Sequence, residues 1–165
     1  MISHCEWRVQ GGEWKSHAEQ SAAARQLLAA ILGNDNAVEH DSHGAPYLPA
    51  HPELCISISH CRKAVAVAVS KGIPIGIDIE SRRKVSPELM TRVCGPEELA
   101  TVNQAGDTTM AFLQLWTRKE AVLKMRGTGI QGFGSMVNAL NCENCTIEEI
   151  DCDLPDTVAA LAMAL

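Results

Sequence analysis

Between Cys55 and Glu80 three apolar runs follow one another with connections too short to hold a helix. Cys55-Ile56-Ser57-Ile58-Ser59 alternates with a period of two. Ala64 to Val69 alternates Ala with Val, and Ile73 to Glu80 places Ile on every odd position. A period of two marks a strand. Apolar residues on both phases of the middle run predict a strand buried on both faces. Parallel strands need a crossover of about a dozen residues or more, so this spacing predicts antiparallel hairpins.

Helices flank this block. Ser16-His17-Ala18-Glu19 has the spacing of a capping box, and the Ala- and Leu-rich run that follows predicts a helix to Leu32, closed by Gly33. Residues 34–53, with three Pro, predict a loop carrying at most a short strand. Ser86-Pro87-Glu88 starts a short helix, Gly95-Pro96 breaks it and starts another, and a long helix is expected from about Thr108 to Arg126, ending at Gly127. The tail from Gly129 is expected to return as strands. Strands and helices without a βαβ rhythm make an α+β fold. The 165 residues suit a single domain, 1–165.

Composition narrows the function. The net charge of −6 argues against nucleic acid as a partner. The charge is uneven: Ser57 to Arg126 holds eleven Lys/Arg against seven Asp/Glu, and the rest three against thirteen. A basic middle in an acidic chain points to an anionic ligand or partner there. No apolar run approaches the ~20 residues of a membrane span, so no membrane association is expected. Met1 to Trp7 has neither the basic flank nor the apolar core of a secretion signal. Seven Cys without a framework spacing read as reduced thiols and a cytoplasmic location. Cys142-Glu143-Asn144-Cys145 is half of a zinc spacing, and without a second pair it reads as free thiols. His40-Asp41-Ser42-His43 with His51 is a weak alternative metal site, and Trp7 and Trp14 are expected to pack in the N-terminal part.

Three places carry chemistry. On the strand at 73–80, Gly76, Asp78 and Glu80 share one face and the isoleucines the other. Two carboxylates at i and i+2 need a cation or solvent between them. An all-oxygen donor set suits Mg²⁺, which takes one or two carboxylates plus substrate phosphates. Gly76 would leave room for a ligand to approach the backbone; the alternative is an acidic outer strand face. In Trp116-Thr117-Arg118-Lys119-Glu120-Ala121-Val122-Leu123-Lys124, Glu120 and Lys124 are i,i+4 neighbours. They could act on one metal-bound phosphate, or form an ordinary surface ion pair. Ser57-Ile58-Ser59-His60 puts hydroxyls and an imidazole at a strand end, suited to a phosphate or to a turn.

Taken in order, these elements resemble the 4′-phosphopantetheinyl transferases, of the larger single-chain type that activates surfactin synthetase and similar peptide and polyketide synthetases. Ser59-His60, Gly76-Ile77-Asp78-Ile79-Glu80 and Trp116-Thr117-Arg118-Lys119-Glu120 with Lys124 look like that family's signatures, and Glu98 sits where an acidic residue is expected. The resemblance spans about Ile56 to Gly129, extending weakly to Arg25-Gln26-Leu27-Leu28 and Gly44-Ala45-Pro46-Tyr47. It implies two similar small lobes, each an antiparallel sheet with a packed helix, and an active site between them. The N-terminal lobe would span about 1–62, and the C-terminal lobe, about 63–165, would carry the metal site. It implies a monomer that moves phosphopantetheine from coenzyme A to a serine of an acyl or peptidyl carrier protein and releases adenosine 3′,5′-bisphosphate. Asp78, Glu80 and Glu120 would hold Mg²⁺ with the coenzyme's diphosphate. Ser59, His60, Lys124 and, weakly, Arg25 would contact the coenzyme. Glu120 would be the base, directly or through water, and Lys124 would assist transfer.

Two departures from the family stand out. Ala45 occupies a place between Gly and Pro that is usually basic, which implies a missing contact to the coenzyme's 3′-phosphate. The N-terminal lobe is short. Both leave room for an alternative, a non-catalytic module that binds coenzyme A or a carrier protein; a metal-binding domain of other function would bind no coenzyme A. Arg82-Arg83-Lys84, next to the metal strand, is expected to steer an acidic carrier, or to be a solvated loop.

Overall fold

A computed structural model describes residues 5–128 and 137–165. The elements run β1 (Cys5–Gly11), α1 (His17–Leu32), β2 (Glu39–His40), β3 (Pro46–Tyr47), β4 (Leu54–Cys61), β5 (Ala64–Lys71), β6 (Ile75–Ser81), α2 (Pro87–Val93), α3 (Pro96–Gln104), α4 (Thr108–Arg126), β7 (Cys145–Ile150) and β8 (Thr157–Ala164). The expected α+β class holds. Residues 34–53 carry a two-strand ribbon, β2–β3, rather than a single short strand. The Ser16 hydroxyl accepts the Glu19 amide and Gly33 closes α1 in the left-handed region, as the caps predict. Asp107 and Gly127 bound α4 in the same way.

Two three-stranded antiparallel sheets form, ordered β1-β5-β4 and β6-β8-β7. The expected hairpin between β4 and β5 is present, with Ser59 opposite Ala66. The one expected between β5 and β6 is not: β6 pairs with β8, Asp78 opposite Ala160. After Lys71 the chain turns at Gly72, whose amide bonds the Glu53 carbonyl, and Ser70 Oγ donates to the Ile73 carbonyl. That turn carries β6 out of the first sheet. The first sheet runs through Lys71, and Ile73 lies exposed outside the strand.

The alternation of β5 explains the layering. Val65, Val67 and Val69 pack with Ala23, Ala24 and Leu28 of α1. Ala64, Ala66 and Ala68 pack on Ile75, Ile77 and Ile79 of β6. Both faces are buried, as the apolar double phase predicts. On the far face of the second sheet, Ala121, Val122 and Leu123 of α4 pack with Ala160 and Ala162 of β8. The order is helix, sheet, sheet, helix. Trp7 packs between the sheets and Trp14 beneath α1.

Gly76 marks where α4 crosses β6. A Cβ there would overlap the Ala121 carbonyl and the Met125 amide. The space at Gly76 thus admits the backbone of α4, not a ligand, and the close approach brings the residues flanking Ala121 over the next residues of β6. Gly76→Ala should cost about 1–3 kcal/mol, because the clash is with backbone that cannot rotate away. Gly106→Ala, with nothing among the described residues within 4 Å of an added Cβ, should be near neutral. Urea unfolding compares them; equal midpoints would contradict this packing.

Candidate functional site

Strand β6 is an edge strand of its sheet and β4 an edge strand of the other, and the two edges lie side by side. They share no ladder, so their inner amides need other partners. Ser57 and Ser59 supply them. Ser57 Oγ accepts the Ile77 amide at 2.9 Å, and Ser59 Oγ accepts the Ile79 amide at 3.3 Å. Lys124 spans the same seam, its Nζ donating to the Ile77 carbonyl at 3.1 Å and reaching the Ile58 carbonyl at 3.5 Å.

Asp78 sits at this seam. Its Oδ1 accepts from Ser59 Oγ at 2.7 Å and pairs with Lys124 Nζ at 2.7 Å. Its Oδ2 is buried and has no hydrogen-bond partner among the described residues. Buried carboxylate oxygens are rarely left so, because desolvation is uncompensated. Glu80, two residues on and on the same face, is held by the Arg83 guanidinium at 3.3 Å. Arg83 lies in turn over the Trp116 ring, 5.8 Å from its centre. Glu120 approaches from α4, one turn before Lys124. Burial pushes the Glu80 carboxyl up, with Arg83 opposing and Asp78 adding. Burial also raises Glu120, Asp78 and Glu80 add to it, and Lys124 opposes. The three predicted metal ligands therefore feel one another's charge.

Among the described residues, no group of three His, Cys, Asp or Glu side chains is arranged closely enough to hold a metal ion as it stands. Lys124 and Arg83 supply the countercharge to Asp78 and Glu80. The donor set nevertheless fits a hard divalent cation: all oxygen, mutually repelling, with one buried oxygen lacking a partner. The His40–His43 loop does not fit one. Asp41 uses Oδ1 to accept the His43 and Ala45 amides, closing a turn.

Beside the seam, His60 meets His17 of α1 edge to face, with ring centres 4.8 Å apart. Burial lowers the His60 pKa first, and the His17 and Lys124 charges lower it further. His17, His60, Arg25, His40, Gly44 and Pro46 line one open cleft of 210 Å³. Imidazoles and a guanidinium around a cleft suit an anionic ligand. The family resemblance singled out His60 and Arg25 for this task; the sequence offered His40 only as a weak metal ligand and gave no signal for His17, and both arrive from other elements.

Several expected residues have other tasks. Ser59 is buried, and its hydroxyl bonds Asp78 and the Ile79 amide. Glu98 forms a buried ion pair with Lys119 at 2.7 Å and accepts the Gly95 and Ala139 amides. This pair anchors α3 to α4. Arg82 is tied to Asp107 and Asp156, and Arg83 to Glu80, so two of the three basic residues at 82–84 are engaged within the chain. Cys142 and Cys145, expected as free thiols, are joined as a disulfide, their Cα atoms 6.1 Å apart and within bridging reach. Cys5, Cys55, Cys61, Cys94 and Cys152 are free.

Residues 74–155 match the sequence model of the 4′-phosphopantetheinyl transferase superfamily. A 4′-phosphopantetheinyl transferase of Bacillus subtilis is 33% identical over 90 residues, 53% of this chain and 40% of the relative. The 4′-phosphopantetheinyl transferase HetI of Nostoc sp. is 33% identical over 128 residues, 69% of this chain and 54% of the relative. The 4′-phosphopantetheinyl transferase AcpT of Salmonella typhimurium is 26% identical over 136 residues, 78% of this chain and 71% of the relative. The chain thus spans about half the length of the Bacillus and Nostoc relatives. No described helix is long and apolar enough to cross a membrane.

The crowding of carboxylates sets a pH dependence. A raised Glu120 pKa means that the stability its protonated form gives is complete below the ordinary glutamate value of about 4.3 and is lost as pH rises through the raised value. In metal-free buffer, Glu120→Gln should therefore raise Tm at pH 8 by ~2–4 °C, the scale of ~1 kcal/mol in a domain of this size. The gain should shrink toward pH 5. A Tm difference that is constant across this range, or reversed, would contradict the charge crowding.

Proposed function

We propose that this chain, related over residues 74–155 to the 4′-phosphopantetheinyl transferase superfamily, moves phosphopantetheine from coenzyme A to a serine of an apo carrier protein. One observation carries the reading: Asp78, Glu80, Glu120 and Lys124 interact electrostatically where α4 crosses β6, beside the cleft of His60 and Arg25. Having Ser59-His60, the acidic strand and the α4 motif in one chain favours the larger single-chain type, acting as a monomer in the cytoplasm.

In this reading His60 and Arg25 bind the coenzyme's 3′-phosphate, and Lys124 neutralises charge on its diphosphate. Asp78, Glu80 and Glu120 would hold Mg²⁺, which when bound offsets the diphosphate charge that repels a nucleophile. Glu120, with its raised pKa, takes the proton from the carrier serine. The serine oxygen bonds to the phosphorus that bears pantetheine. The bond from that phosphorus to the diphosphate's bridging oxygen breaks, and adenosine 3′,5′-bisphosphate leaves. Lys124 neutralises the charge left on it.

Incubation with coenzyme A, Mg²⁺ and an apo carrier protein, followed by intact-mass measurement, tests this. The carrier should gain one phosphopantetheine group. Asp78→Asn, Glu80→Gln and Glu120→Gln should each slow transfer by ~100-fold or more, the scale for losing a catalytic carboxylate. Coenzyme A binding without any mass gain would favour a non-catalytic module; no binding would remove the coenzyme from the account.

The structure gives Ala45 a sharper test. Its neighbours Gly44 and Pro46 line the cleft with His60 and Arg25. If the coenzyme's 3′-phosphate lies there, Ala45→Lys adds a charge-assisted bond of ~1.5–3 kcal/mol, about ten- to a hundredfold in Kd. Dephospho-coenzyme A, which lacks that phosphate, should show no gain in calorimetric titration. Equal gains for both ligands would place Ala45 away from the 3′-phosphate.

A further inference from the structure

We propose that Ser59 is a positioning residue for the metal, fixing Asp78 so that Oδ2 alone is presented as a ligand; this rests on the carboxylate reading of the site above. The geometry is one-directional. The Ile79 amide donates to Ser59 Oγ, so the hydroxyl hydrogen is left to donate, and Asp78 Oδ1 stands 2.7 Å away. Lys124 Nζ donates to the same Oδ1 at 2.7 Å. Two donors on Oδ1 pin the carboxylate and withdraw that oxygen from coordination. The other oxygen, Oδ2, is buried and has no partner among the described residues. A carboxylate with one oxygen doubly bonded by donors and the other bare is prepared for one-oxygen ligation, and partners of this kind behind a ligand commonly change metal affinity ten- to a hundredfold.

Ser57 separates this role from simple packing. It lies two residues earlier on the same face of β4, is as buried as Ser59, and accepts the Ile77 amide at 2.9 Å. Among the described residues its partner is that β6 amide and no carboxylate. Both serines therefore satisfy the edge of β6, and one of them also holds Asp78.

Mn²⁺ titration of the full chain, following the free-ion electron paramagnetic resonance signal, reads the difference. Ser59→Ala should weaken Mn²⁺ binding ~10- to 100-fold. Ser59→Cys, nearly isosteric and a weak donor, should do the same if the alanine variant folds poorly. Ser59→Thr should regain most of the affinity. Ser57→Ala should lose stability toward urea as Ser59→Ala does, yet bind Mn²⁺ as the unaltered chain does. In transfer assays Ser59→Ala should raise the metal concentration for half-maximal rate and leave kcat at saturating metal nearly unchanged. Equal loss of affinity in Ser57→Ala and Ser59→Ala, or no loss in either, overturns the proposal while leaving the metal site standing. Asp78→Asn binding Mn²⁺ as tightly as the unaltered chain overturns the metal site itself, and the role of Ser59 with it.

Discussion

The structure depends on how two sheet edges are closed against each other without a shared ladder. Strands β4 and β6 bring inner amides and carbonyls to one seam, and unpaired backbone groups there would be costly. Side chains close the seam: the hydroxyls of Ser57 and Ser59 take two amides, and the Lys124 ammonium reaches a carbonyl on each strand. A seam closed by polar side chains can bury a carboxylate, and Asp78 sits there with one oxygen held and one bare. The elements that join the two halves of the molecule therefore also shape its acidic site.

Gly76 makes this possible from the other side. Only a residue without a Cβ lets α4 cross β6 so closely, and Glu120 and Lys124 flank the crossing point. Asp78 then gains an ammonium at 2.7 Å, while Glu80 and Glu120 lose enough solvent that burial raises both carboxyls. Such crowding is poor for stability and useful for holding a cation, a conflict expected where function constrains the fold. The buried Glu98–Lys119 pair fixes α3 to α4 and so steadies the helix that carries half of the site.

Local order was legible in the sequence wherever one residue's signal sufficed. The serine cap and Gly33 bounded α1, the double-phase Ala/Val run marked β5 as buried on both faces, and spacing put Asp78 and Glu80 on one face of a strand and Glu120 and Lys124 on one face of a helix. What failed depended on contacts between distant elements. The short gap before Ile75 suggested a hairpin with β5, but β8, some eighty residues later, takes that place. Gly76 suggested space for a ligand, and a helix backbone fills it. His17 and His40 join His60 only through the packing of α1 and the β2–β3 ribbon. Pairing at this range is decided by which apolar faces meet, and no window of sequence reports that.

The central claim is that a divalent cation at the carboxylates meets the coenzyme's diphosphate, while the cleft of His60 and Arg25 takes its remaining phosphate. Phosphorus magnetic resonance of coenzyme A bound to the protein, with Mn²⁺ added in small amounts, tests this arrangement most directly. Paramagnetic broadening falls steeply with distance from the metal. The account predicts that the two diphosphate resonances broaden well before the 3′-phosphate resonance, and that Glu120→Gln removes the difference. Equal broadening of all three, or none in the presence of bound coenzyme, would contradict it.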